Sequence, residues 1–127
     1  TFRILVEIML LYTFIEGVIP ISATFEGANF DIIMGISAPI VALTIYRNLK
    51  KNRGFAVAWH ILGIAMILFV AVIIGTSMYF PSMWTSRVPL VSPELLSFPY
   101  FLIAACIAPF AILIHVIALA QLRALKK

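Results

Sequence analysis

The sequence is poor in what soluble proteins depend on. Charged residues make up 11% of its 127 positions, against roughly 25% in an average soluble domain. A soluble chain this short buries only part of its surface on folding, so it has no interior in which to hide an apolar majority of 64%. There is one cysteine, Cys106, which excludes an internal disulfide and a cysteine-based zinc cluster. It reads as a small packing group rather than a nucleophile. The phosphate-cradling GxGxxG and GxxxxGKS/T patterns are missing, as are HExxH, GxSxG and the CxxCH haem-attachment signal. Ser37, Thr44 and Ser77 have no compelling base beside them in sequence. These absences weigh against an enzyme.

What is present is apolar sequence in long runs, at about Ile4 to Ile19, Phe30 to Tyr46, Phe55 to Phe80 and Phe98 to Leu122. They recur to the end of the chain, unlike the single short run of a secretory signal peptide. A helix crossing the hydrocarbon needs about 20 residues, and four strands cannot close a barrel. The expected fold is all-α, a four-transmembrane-helix bundle forming one membrane domain over 1–127. The first two runs are short and must recruit flanking residues or thinned lipid.

The basic residues fall to one side of this arrangement. Arg3 precedes the first run, Arg47, Lys50, Lys51 and Arg53 fill the second connection, and Arg123, Lys126 and Lys127 end the chain. Arg87 stands opposite, while Glu26 and Glu94 lie in the connections expected outside. The positive-inside rule then predicts both termini in the cytoplasm (N-in/C-in) of a bacterial inner, or plasma, membrane. Nucleic acid is excluded as a partner, because membrane topology already accounts for the basic residues. The expected partners are the lipid bilayer and further copies of the chain or a larger membrane complex.

The run "GFAVAWHILGIAMILFVAVIIG" holds a single ionisable side chain, His60. His60 lies seven residues after Arg53 and His115 eight before Arg123, which places both imidazoles roughly 10–12 Å in from the same membrane face. Helical spacing puts His115 in a stripe with Ala104, Ala108, Ala111, Ala118 and Leu122, and His60 with Ala56, Gly63, Ile67 and Ile74. Small residues let membrane helices approach closely, so both histidines are expected to face protein. Glu7 is positioned to reach the same layer. Glu16, nine residues on, points to the opposite face. Asp31 is expected near the outer end of the second run, where it meets Glu16 or stays wet.

Ionisable groups inside a membrane are functional candidates. His60 and His115 on two helices suit the axial positions of a haem b iron, or a metal site completed by Glu7, or a proton relay. They also suit a plain interhelical hydrogen bond. Glu16 beside Tyr12, Phe14 and Gly17 has the composition of a cation site. In "FEGANFD", Glu26 and Asp31 straddle Gly27 and Asn29, a combination that can offer oxygen ligands to a cation or, as the favoured reading, make a tight turn in which Asn29 or Asp31 caps the following helix. "APIVALTIY" and "APFAILIHV" place Pro39 and Pro109 alike, in the pattern of a duplicated hairpin in which each proline frees backbone carbonyls.

The stretches "TFEGANFDI", "SAPIVA", "AWHILGIA" and "FPYFLIAACIAPFAILIHVIALAQL" resemble a group of small bacterial integral membrane proteins. The resemblance implies a four-span membrane protein and no activity. The function expected from sequence is therefore a membrane subunit or interaction protein. The alternatives are a b-type haem electron-transfer protein using His60 and His115, and a small oligomeric proton- or cation-coupled transporter.

Overall fold

The structure, a computed structural model, describes residues 2–124, and every regular element among them is helical. Lys126 and Lys127 lie outside the described residues. Helix α1 spans Phe2–Ile15, α2 Asp31–Thr44, α3 Leu49–Tyr79 and α4 Ala108–Ala124. A single 3-10 turn, Tyr46–Asn48, joins α2 to α3, so the two are arms of one bent helical stretch from Asp31 to Tyr79. A π-helical segment, Ile103–Ile107, runs directly into α4. The result is three helical bodies.

The expected bundle of four membrane-spanning helices is therefore corrected. Two helical stretches, Asp31–Tyr79 and Ile103–Ala124, are long and apolar enough to cross a membrane by length and composition. Helices α1 and α2 have 14 residues each, about 21 Å at 1.5 Å per residue, against a hydrocarbon core of about 30 Å.

Local chemistry explains the shortfall. Gly17, at φ +75°, ends α1 four residues before the apolar run does. Its N–H donates to Phe14 O at 2.8 Å and the Val18 N–H donates to Thr13 O at 3.0 Å, the paired closing bonds of a Schellman cap. Pro20 follows. The chain then folds inward instead of looping outside: Val18, Ile19, Ala23, Thr24 and Asn29 are all buried. Irregular backbone at this depth is sustainable where protein encloses it. Gly27 permits the fold, because a Cβ there would stand 2.2 Å from Ile21 O.

Asn48, at φ −127° and ψ 54°, breaks the helix between the arms. The arms fold back on one another, as shown by the Trp59 Nε1–H donating to Ser37 Oγ at 3.1 Å. Helices α3 and α4 run antiparallel, with Arg53 Nε donating to Leu122 O at 2.6 Å at one end. Pro109 has no N–H to give the preceding turn, and the backbone widens into its π-helical turn just before it.

At the other end the core joins Leu10, Val18, Ile19, Ile73, Val91, Leu95 and Ile103. The long connection 80–100 contributes two of these and is tied down by Ser92 N–H donating to Val18 O at 2.9 Å. Trp84 donates to Thr76 Oγ1 at 3.2 Å. The outward faces of the long helices are apolar: Phe55, Ile61, Leu68 and Phe69 on α3, and Phe110, Leu113 and Ile117 on α4, are exposed.

Candidate functional site

Polar side chains converge where α1, α2, α3 and α4 meet. On α3, Ala56, His60, Gly63 and Ile67 form the buried stripe expected from their spacing, whereas Ile74, expected to continue it, is half-buried and Ile73 is buried instead. On α4 the buried positions are Ala111, His115 and Leu122, while Ala104 and Ala118 lie outside that core. His60 Nδ1 stands 2.7 Å from His115 Nδ1, so the two histidines share a depth and touch. Gly63 makes room for the contact: a Cβ there would lie 2.5 Å from His115 Cε1.

His60 has a second partner. Its Nε2 stands 2.6 Å from the hydroxyl of Tyr46, in the turn between the two arms. A neutral imidazole donates from one nitrogen and accepts at the other, so Tyr46, His60 and His115 form a chain with two consistent proton orders. In one, Tyr46 donates to His60 and His60 to His115; in the other both bonds reverse. Trp59 packs edge-on to His60 with ring centroids 5.0 Å apart. Sequence reasoning passed over Tyr46 because its hydroxyl reaches His60 only once the arms fold back.

Beside the histidines lies a charge layer. Arg3, 7% exposed, donates from Nη1 to Asp31 Oδ1 and from Nη2 to Gly63 O at 2.8 Å. Arg3 thus sits in the interior. Asp31 pairs with it there, because the inward fold of 16–30 starts α2 at the level of α1's first turns. Glu7, 1% exposed, accepts from Asn29 Nδ2 at 3.0 and 2.9 Å on its two oxygens. The other Asn29 hydrogen reaches Ala23 O at 3.2 Å, and Asn29 Oδ1 accepts from Asp31 N–H at 2.9 Å. This last bond is an Asx turn that satisfies the first N–H of α2, from the residue before the N-cap; the N-cap itself is Phe30, which makes no side-chain cap bond. Glu16 and Glu26 are exposed and join none of these contacts.

The donors do not form a three-ligand metal set: among the described residues no group of three His, Cys, Asp or Glu side chains is placed to hold an ion. The two histidines proposed as axial haem ligands are in contact, but nitrogens binding one iron from opposite sides stand roughly 4 Å apart, at about 2 Å each. A separation of 2.7 Å matches a hydrogen bond. A haem iron between them would have to part the rings.

Two cavities adjoin the layer. One, of about 140 Å³, is lined by Trp59, His60, His115 and Arg3. The other, of about 220 Å³, is lined by Arg3, Glu7 and Asp31 at its polar part and by aliphatic side chains elsewhere. Arg3 and Ala111 belong to both.

No family model matches the chain, and neither does any curated protein or solved structure. The function must therefore be argued from this geometry.

Proposed function

We propose that the chain is a membrane-embedded protein that moves protons along Tyr46, His60 and His115, as part of a small proton- or cation-coupled transporter. The membrane setting is supported by where the apolar residues face. Only 22% of the most apolar window of Asp31–Tyr79 and 17% of that of Ile103–Ala124 are buried, whereas the core helix of a soluble protein is mostly covered. Lipid is the natural cover for such surfaces. The basic turn carrying Arg47, Lys50, Lys51 and Arg53 then lies on the cytoplasmic side, with the 80–100 connection opposite.

The observation that carries the reading is the continuous chain of 2.6 and 2.7 Å contacts. Tyr46, 40% exposed, opens it near the basic turn, and the smaller cavity receives it at the inner end. A proton accepted at one end and released at the other reverses both bonds, and ring rotation restores them. Imidazole suits the task because one ring nitrogen can accept a proton while the other gives one up. Arg3, held by Asp31 and by Gly63 O, stands where the cavities meet, so the relay ends against a fixed ion pair rather than in an open pore. The arrangement therefore favours coupled transfer over a channel.

The test is proton flux into vesicles reconstituted with the protein, followed with an enclosed pH-sensitive dye under an imposed potential. Wild-type protein should exceed empty vesicles, and His60→Phe or His115→Phe should reduce the excess at least tenfold. Equal flux in these variants would refute the relay. An absorption spectrum of the same preparation separates the haem reading: a Soret band lost in both variants would replace the relay with a haem site.

A further inference from the structure

The larger cavity lies beyond the Arg3–Asp31 pair and includes neither histidine in its lining. Leu10, Ile67, Ile74, Leu95, Ile103 and Ile107 form apolar wall. Its polar part holds two carboxylates and one guanidinium. Arg3 is committed to Asp31 and to Gly63 O, whereas Glu7 is bonded to Asn29, a neutral amide. The layer thus has one negative charge more than it has cation to match. A carboxylate in such surroundings must take up either a proton or a cation, since leaving it ionised and unpaired is very costly. Asn29 occupies one acceptor direction on each oxygen, and a carboxylate offers about four. Water alone suits aliphatic walls poorly.

We propose that this cavity binds a monovalent organic cation with a compact apolar body, its charge set against the Glu7 carboxylate in exchange for a proton. The walls take the body, and Glu7 takes the charge. A roughly 150 Å³ apolar cavity holds benzene, so about 220 Å³ has room for one ring and a small charged substituent. An anion finds no unpaired cation, because Arg3 is already neutralised by Asp31. On binding, the Glu7 O–H bond breaks, the proton leaves and the organic cation replaces it, so charge balances with no covalent step. The site depends on Glu7 and the aliphatic walls, and it stands whether or not the histidine relay operates.

Calorimetry on the purified chain in lipid nanodiscs tests this, with protein-free discs subtracted. The probes are benzyltrimethylammonium, benzyl alcohol and phenylacetate; the permanent charge of the first ensures that any pH dependence belongs to the protein. The cation should bind at least tenfold more tightly than either other probe. It should release up to one proton per molecule bound, read from the heats in buffers of different ionisation enthalpy. Glu7→Gln, which keeps an acceptor for Asn29, should lose the cation preference and retain benzyl alcohol binding. Equal affinity for cation and alcohol in the wild type would overturn the site without recourse to any variant. A preference that survives in folded Glu7→Gln, or binding without proton release, would overturn the role given to Glu7. His115→Phe should bind the cation as the wild type does, so failure of the relay is read separately.

Discussion

Replacing Gly63 by alanine tests the packing on which the histidine contact depends. The added Cβ would stand 2.5 Å from His115 Cε1 and 2.7 Å from Nε2. His115 is buried, and a retreat from α3 would stretch its 2.7 Å contact with His60 on the same helix. Overpacking of this kind costs about 1–3 kcal/mol, and loss of an interhelical hydrogen bond adds about 0.6 kcal/mol on average in a membrane protein. Alanine's better helix propensity returns up to about 1 kcal/mol. The net expectation is a destabilisation of about 0.6–3.6 kcal/mol. The same helix supplies its own control. A Cβ at Gly54 or Gly75 meets nothing within 4 Å, so alanine there should be neutral or stabilising by up to about 1 kcal/mol. Reversible unfolding of the three variants in mixed micelles, followed by tryptophan fluorescence, gives the comparison directly. Gly63→Ala as stable as Gly54→Ala would show that α3 and α4 do not pack through this point, and the close His60–His115 contact would lose its basis.

Breaking the buried ion pair with Asp31→Asn should cost about 3–5 kcal/mol, while the double replacement Arg3→Met with Asp31→Leu should recover much of that in the same unfolding assay. Gly27→Ala, with its Cβ 2.2 Å from Ile21 O, should lie at the upper end of the about 1–3 kcal/mol range for overpacking, or beyond it; limited proteolysis should detect loosening of the 16–30 segment. Tyr46→Phe should change stability by less than about 1.5 kcal/mol yet lower proton flux, because it removes only the outer partner of His60. A cysteine at Asn52 should react with an impermeant thiol reagent from the opposite side of the membrane to one at Arg87, and same-side labelling would refute the crossing assigned to α3.

Composition and periodicity determine much of this protein directly. The apolar excess predicts lipid or a partner's apolar surface as surroundings, and helical spacing alone places His60 with Ala56, Gly63 and Ile67 on one face. Counting from Arg53 and Arg123 sets the two histidines at one depth, since rise per residue is fixed and the helices are consecutive. The opposition of Glu7 and Glu16 follows from the same arithmetic, one buried and the other exposed.

The number of spanning stretches was not legible in that way, because hydropathy does not distinguish helix from buried irregular chain. Val18 and Ile19 are as apolar as the helix before them, but Gly17 takes positive φ and closes α1 early. The inward turn of 16–30 then decides everything that depends on long-range register. It starts α2 inside the structure rather than at its edge, brings Asp31 to Arg3 and Asn29 to Glu7, and turns an expected topological marker into half of a buried ion pair. The hairpin at Asn48 likewise delivers Tyr46 to His60. Spacing along one helix is a local property that the residues carry with them, whereas a partner 28 or 55 positions away is chosen by how the backbone returns, and only the tertiary structure decides that.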